Sequence, residues 1–118
     1  MYGMIFALVA GLPRVSPEQL NQLRLREAIH VIDVNAPRVW AKGHVPGARN
    51  LDPKMLTPGV LPEDKSTLLI FYCSNVYCWK APNVARKVKS MGYQNVQVMS
   101  AGIDGWLAAG LPTERSTI

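Results

Sequence analysis

The sequence LLIFYC at residues 68–73 is the strongest strand signal in the chain. Its first five residues are apolar and follow the charged turn Pro62 to Lys65, a pattern typical of a strand buried on both faces of a parallel sheet. Cys73 comes directly after this strand, and a helical pattern follows from Pro82 to Met91. We therefore expect a strand, a loop and a helix, with a cysteine where the strand ends.

Working outward from this unit, short apolar runs alternate with amphipathic segments. Such alternation favours an α/β fold. Ser16, Pro17 and Gln19 have the spacing of a capping box that begins a helix. Further strands are predicted at Val31–Val34, Ala48–Leu51 and Val96–Met99, and further helices at Pro37–Lys42 and Ile103–Ala109. In parallel sheets the ligand crevice lies at the carboxyl ends of the strands, which places the site between Tyr72 and Pro82.

Composition narrows the class of protein. The chain has 118 residues, a net charge of +5 and 48% hydrophobic residues, which describes one soluble domain with its own core. Two cysteines exclude a disulfide framework. No apolar run is long enough to span a bilayer. The positive charge is moderate and spread along the chain, so it suits a small anion and gives no reason to expect nucleic acid.

The first twelve residues differ from the rest because they are apolar and uncharged. We interpret residues 1–12 as an N-terminal extension and residues 13–118 as the folded domain. A thiol that must cycle through its reduced form favours the cytoplasm. Export is the alternative, if residues 1–12 are the remnant of a signal or an anchor.

Cys73 is the candidate nucleophile. At the end of a buried strand and before a helix, backbone N–H groups and the helix dipole favour an anion, and the same field lowers the pKa of a thiol. Lys80 adds a positive charge nearby. The alternative is a free cysteine that packs as a small hydrophobic residue. The cradle is predicted to comprise the loop residues Ser74, Asn75, Val76, Tyr77, Cys78, Trp79 and Lys80.

Three stretches together resemble the single-domain rhodaneses, which are sulfurtransferases of the thiosulfate type. They are VIDV at 31–34 with GHVPGARNLDP at 43–53, FYC at 71–73, and MGYQNVQVMSAGIDGWLAAGLPTE at 91–114. The resemblance implies a five-stranded parallel sheet flanked by helices on both faces. It also implies that Cys73 accepts a sulfane sulfur from thiosulfate, a polysulfide or a persulfide. A thiol, cyanide or a partner protein would then take the sulfur, and no cofactor or metal is implied.

The loop departs from the family pattern at its end. Rhodanese loops usually run six residues from the catalytic cysteine to an arginine, and this chain has Cys78 at that position. Lys80 is the nearest substitute, but an ammonium group lacks the bidentate grip of a guanidinium on an oxyanion. Asn35 likewise stands where the family often has an arginine. Asp33, Asn35 and Arg49 remain candidates to support the loop or the crevice.

Cys78 has two interpretations. As a resolving cysteine it would attack a Cys73 persulfide or sulfenic acid and leave a disulfide within the loop, provided that the two Cα atoms lie within about 7 Å. Alternatively, it packs beneath the loop.

Other functions remain open beside sulfur transfer. A noncatalytic rhodanese-like binding module is the main alternative, and a cysteine-based oxyanion enzyme such as an arsenate reductase or a phosphatase is the next. A zinc site from Cys73, Cys78, His30 and His44 is not favoured, because the histidines precede the cysteines in separate elements. We expect His44 to fix the glycine- and proline-rich turn around it, with a role as general base as the alternative.

Overall fold

The computed structural model describes residues 11–117, so the prediction for residues 1–10 lies outside the described part of the chain. Within residues 11–117 there are four α-helices and four β-strands, and α-helices separate the strands except between β2 and β3. The helices are α1 (Pro17–Arg26), α2 (Pro37–Lys42), α3 (Lys80–Ser90) and α4 (Gly102–Ala108). The strands are β1 (His30–Asp33), β2 (Arg49–Asn50), β3 (Leu69–Tyr72) and β4 (Val96–Val98), and short 3₁₀ turns lie at Pro53–Met55 and Pro58–Val60.

The strands form one parallel sheet in the order β2-β1-β3-β4. The α/β fold with a parallel sheet is therefore confirmed, but the sheet in residues 11–117 has four strands where five were expected. The fifth position is occupied by residues 13–15, where Val98 N donates to Pro13 O and Val15 N donates to Val98 O, both at 3.0 Å. Pro13 has no N–H to extend this pairing and α1 begins at Pro17, so the ladder stops after a single bridge.

Helices cover both faces of β3, which makes it the most buried element. Leu69 and Phe71 belong to the core cluster that includes α3, whereas Ile70 and Tyr72 belong to the cluster that includes Leu20 of α1 and Trp106 of α4. Every residue of β3 is buried. Burying one large apolar side chain stabilises a fold by about 1.5–3 kcal/mol, so this strand is the centre of the hydrophobic core.

The helix boundaries show where local signals succeed and where they fail. The capping box is formed: Gln19 N donates to Ser16 Oγ at 3.1 Å and Ser16 N donates to Gln19 Oε1 at 2.9 Å. The third helix begins at Lys80, two residues before the predicted start, because Asn83 N already donates to Trp79 O. Lys80 therefore belongs to α3 and not to the loop.

The amino-terminal end of the described chain packs onto this core. Leu12, which was assigned to the extension, is 5% exposed and lies in the cluster with Phe71 and Val88. None of the helices in residues 11–117 has the length and apolar character that crossing a membrane requires.

Candidate functional site

The loop Cys73–Trp79 leaves β3 at the carboxyl edge of the sheet, between β1 and β4. Asn75 organises this loop. Its side-chain Oδ1 accepts a hydrogen bond from Tyr77 N at 2.9 Å, and its carbonyl oxygen accepts one from Cys78 N at 3.1 Å. Two of the amides predicted to cradle an anion are therefore engaged inside the loop in this state.

Cys73 and Cys78 are joined by a disulfide, with their Cα atoms 6.4 Å apart. This distance lies within the range that a disulfide requires. Cys73 is almost fully buried, and Cys78 packs partly buried against the same core cluster. The fold therefore brings the predicted nucleophile and the predicted resolving cysteine together.

The first residues of the loop are attached to the amino-terminal end of α4. Ile103 N donates to Cys73 O and Asp104 N donates to Ser74 O, both at 2.9 Å. Gly102 makes this approach possible, because a Cβ at residue 102 would lie 2.5 Å from the backbone C and O of Ser74. Its φ of +68° is also a conformation that side chains disfavour.

Polar residues after β1 support the loop from below. Ser74 Oγ donates to Asn35 Oδ1 at 2.7 Å, and Asn35 N donates to Asp33 Oδ1 at 2.8 Å. Asn50 Nδ2 adds a hydrogen bond to Asn35 O at 2.8 Å. The residues predicted to support the loop, Asp33 and Asn35, are thus connected to it through Ser74.

This support includes two buried polar atoms without a hydrogen-bond partner in the described chain, Asp33 Oδ2 and Asn35 Nδ2. Burial raises the pKa of the Asp33 carboxyl above 3.8, and the neighbouring Tyr72 and Asn35 groups oppose that rise without cancelling it. Burial and the adjacent Asp33 together raise the pKa of Tyr72. Burial thus disfavours the charged forms of both Asp33 and Tyr72 in this network.

A cavity of about 240 Å³ opens beside the loop. Both cysteines line it, and most of the remaining wall is apolar. The lining residues are Arg14, Cys73, Asn75, Val76, Tyr77, Cys78, Trp79, Ala81, Pro82, Val98, Met99 and Ser100. The rim is open to solvent, since Val76 is 65% exposed and Tyr77 is 83% exposed. A small molecule can therefore reach the cysteine pair.

Five predicted site residues do not line this cavity: Asp33 and Asn35, which lie in the network described above, and Ser74, Lys80 and Arg49. Ser74 faces Asn35, and Lys80 is exposed in the first turn of α3. The Arg49 Nη2 atom donates to Val60 O at 3.3 Å. Lys80 was expected within the loop, and the structure instead makes it the first residue of α3.

Arg14 is the charged lining residue that sequence reasoning missed. It comes from residues 13–15, which pair with β4, and β4 is adjacent to β3. The signal available in the sequence was the extended Pro13-Arg14-Val15 before the helix cap at Ser16. Only the strand order shows that this segment reaches the cavity.

His44 fixes the turn Gly43–Ala48, as predicted. Its Nδ1 lies 2.7 Å from Trp40 O, a carbonyl that only accepts, so Nδ1 carries the hydrogen. The imidazole stacks on Trp40 at 4.4 Å between ring centroids, and its Nε2 lies 3.5 Å from Glu114 Oε1. In residues 11–117, no group of three or more His, Cys, Asp or Glu is placed to hold a metal ion.

The sequence match to known proteins agrees with this geometry. The model of the rhodanese-like domain family matches residues 16–109. The chain belongs to the rhodanese-like domain family. It is 30% identical to the thiosulfate sulfurtransferase GlpE of Pseudomonas putida F1 over 97 residues, which are 80% of this chain and 84% of that protein. A sulfurtransferase family is thereby supported.

Two other relatives are longer. The chain is 28% identical to the uncharacterized protein slr1261 of Synechocystis and 30% identical to the HTH-type transcriptional regulator Rv0324 of Mycobacterium tuberculosis. The matches cover 86% and 90% of this chain but only 56% and 47% of those proteins. The chain thus spans about half the length of these two relatives.

Solved structures show the same fold. A Rhodopseudomonas palustris protein, RPA3614, described as of unknown function and a possible tyrosine phosphatase, superposes with a TM-score of 0.81 at 20% identity over 94% of this chain and 91% of its own. The polysulfide-sulfur transferase of Wolinella succinogenes gives 0.76 at 18% identity over 98% of this chain and 87% of its own. At these identities the similarity establishes the fold alone.

Proposed function

We propose that this protein is a sulfurtransferase in which Cys73 carries sulfane sulfur as a persulfide. The observation that carries the proposal is the position of Cys73: it directly follows the central strand, lines an open cavity and is bonded to Cys78. The family membership and the named sulfurtransferase relative support the same reaction class.

In the first half-reaction, the reduced Cys73 thiolate attacks the sulfane sulfur of the donor. A sulfur–sulfur bond forms at Cys73, the donor's own bond to that sulfur breaks, and the electron pair leaves with the remaining donor anion. Backbone amides in the first turn of α4 donate hydrogen bonds to the Cys73 and Ser74 carbonyls. These bonds keep the nucleophile at the cavity wall. A thiol, cyanide or a partner protein then removes the outer sulfur.

Cys78 provides a second way to discharge the persulfide. Its thiolate attacks Cys73 Sγ, the bond to the outer sulfur breaks, and hydrosulfide leaves with the electron pair. The product is the Cys73–Cys78 disulfide that the structure contains. Two equivalents of a cellular thiol reduce this disulfide and become a disulfide themselves, which restores both cysteines. This cycle requires a reducing compartment, and we therefore propose the cytoplasm as its location.

Intact-protein mass spectrometry tests the proposal. The reduced wild type, Cys73→Ser and Cys78→Ser proteins are incubated with thiosulfate or a polysulfide and then with cyanide. We expect a gain of one sulfur that requires Cys73 and is lost to cyanide. If Cys78 resolves the persulfide, the adduct accumulates in Cys78→Ser, while the wild type ends two hydrogens lighter than its reduced form.

The same experiment separates the alternatives. An adduct that forms equally in Cys73→Ser contradicts the assignment of the nucleophile. No adduct with any donor contradicts sulfur transfer and leaves a binding module. Hydrolysis of an aryl phosphate or reduction of arsenate, dependent on Cys73, would then identify the oxyanion enzyme.

A further inference from the structure

Arg14 carries the charge of the cavity. Among the described residues that line it, Arg14 is the one charged side chain. The side chain is exposed, and among residues 11–117 it has no carboxylate partner. Its backbone is fixed, because the residues on either side of it make the two hydrogen bonds to Val98 of β4. The backbone therefore anchors Arg14 beside the cavity, and its guanidinium is available to a ligand.

The loop residues 73–79 supply no charged donor to an anion in the cavity. The amides of Tyr77 and Cys78 are occupied by Asn75, and Lys80 lies outside the cavity wall. A guanidinium presents two parallel N–H groups to an oxyanion, which an ammonium group cannot do. We propose that Arg14 binds the oxyanion end of the sulfur donor; this inference rests on the proposed function.

The cavity also indicates the class of donor. One positive charge balances one negative charge, and thiosulfate carries two. The apolar wall formed by residues such as Trp79, Pro82 and Val98 suits an organic substituent. At about 240 Å³ the cavity accommodates only a small one. A thiosulfonate, R–SO₂–S⁻, combines a single charge, an oxyanion end and an organic group.

The chemical step balances for this donor. The Cys73 thiolate attacks the terminal sulfur of the thiosulfonate, and the bond between that sulfur and the sulfonyl sulfur breaks. The electron pair leaves with the sulfinate, R–SO₂⁻, and Cys73 keeps the persulfide anion, so two negative charges are present before and after. Charge grows on the sulfonyl oxygens as the bond breaks, and Arg14 stabilises it there.

Steady-state kinetics test the role of Arg14. Transfer to cyanide is measured with thiosulfate, methanethiosulfonate and benzenethiosulfonate for the wild type, Arg14→Gln and Arg14→Lys. Arg26→Gln is the matched control, because it removes an equal charge from the exposed last turn of α1. We expect Arg14→Gln to lower kcat/KM for the thiosulfonates by about tenfold or more, with partial recovery in Arg14→Lys and no change in Arg26→Gln. The wild type should prefer the thiosulfonates to thiosulfate.

A second readout does not depend on sulfur transfer. Alkylation of Cys73 in the reduced Cys78→Ser background is timed with anionic iodoacetate and neutral iodoacetamide. The added Arg14→Gln substitution should lower the iodoacetate-to-iodoacetamide rate ratio severalfold, whereas Arg26→Gln should not.

The outcomes distinguish this inference from the proposed function. If the wild type transfers sulfur but Arg14→Gln matches Arg26→Gln in both assays, Arg14 is not the anion-binding residue. If thiosulfate is the better donor, the thiosulfonate assignment is wrong. If the wild type forms no persulfide with any donor, the proposed function fails, and the alkylation ratio still decides whether Arg14 attracts anions.

Discussion

Two segments of similar length differ in exposure and in bonding: the turn Gly43–Ala48, which leads into β2, and the loop Cys73–Trp79, which follows β3. The turn Gly43–Ala48 has its histidine 2% exposed and Val45 fully buried. The loop Cys73–Trp79 has Tyr77 83% exposed, although Cys73 at its base is buried. The turn is bonded to Trp40, Tyr72 and Glu114, whereas the outer part of the loop bonds mainly to itself.

This difference suits the turn to a structural role and the loop to the proposed chemistry. In the turn, the buried His44 ring bonds to Trp40 O, stacks on Trp40 and lies beside Glu114. The loop is attached at its base to α4 and Asn35 and at Cys78 by the disulfide, whereas Val76 and Tyr77 are exposed at the cavity rim. Cys73, the proposed nucleophile, thus has a buried, fixed base next to an exposed rim, and the core beneath it stays packed.

Replacing Gly102 should have the largest effect, because it joins the loop to α4. Gly102→Ala places a Cβ 2.5 Å from the Ser74 backbone at a φ of +68°, and the combined overlap and strain should lower the free energy of unfolding by about 2–4 kcal/mol. Urea unfolding of the reduced protein measures this. The rate of Cys73 alkylation should also change, since the base of the loop must move.

Gly110→Ala is the control for Gly102→Ala. Gly110 has a similar φ of +71° but no atom within 4 Å of its ideal Cβ. Its substitution should therefore lower the free energy of unfolding only by the cost of the left-handed backbone conformation, about 1–2 kcal/mol. Equal losses in the two variants would show that close packing on the loop does not matter.

Replacing His44 should affect stability and spare the chemistry. His44→Gln removes the Trp40 stacking and the ring hydrogen bond to Trp40 O, and we expect a loss of about 1–3 kcal/mol. The rate of persulfide formation on Cys73 should stay within about twofold of the wild type, because His44 does not line the cavity. Thermal unfolding and the mass assay measure the two effects. A large loss of rate in a folded variant would return His44 to the role of general base.

The smallest expected effect is a pH dependence from Asp33. Its pKa is raised by burial, so between pH 3.8 and that higher value the folded protein keeps a proton that the unfolded chain has lost. Stability from this group therefore falls as the pH rises through that window, by about 1.4 kcal/mol for each tenfold gain in proton affinity. Asp33→Asn should remove the fall, seen in urea unfolding from pH 4 to pH 7.

Asp64→Asn is the control, because Asp64 should change stability with pH in the opposite direction to Asp33. Hydrogen bonds from Ser66 lower the pKa of this exposed carboxyl, so its contribution is present above pH 3.8 and is lost as the pH falls. The prediction for Asp33 would be contradicted if the difference in unfolding free energy between the wild type and Asp33→Asn did not vary with pH. The Asp33 carboxyl would then bind its proton no more tightly in the folded protein than in the unfolded chain.

Much of the fold was predictable because its signals are local. The apolar run before Cys73, the capping box at Ser16 and the turn residues around His44 each act over a few neighbouring residues, and the structure confirms all three. The missing fifth strand and the early start of α3 escaped prediction. The fifth strand depends on how many residues of the segment 13–15 can pair with β4. The early start of α3 depends on a hydrogen bond from Asn83 N to Trp79 O.

By itself the sequence determined the α/β class, the family resemblance and the strand that delivers Cys73, because periodicity, caps and turns are read from adjacent residues. Only the tertiary structure decided that Cys78 bonds to Cys73, that Asn75 occupies two amides of the predicted cradle, and that Arg14 brings the charge to the cavity. Arg14 and Cys73 are far apart in sequence and meet only because residues 13–15 pair with β4, which lies next to β3 in the sheet.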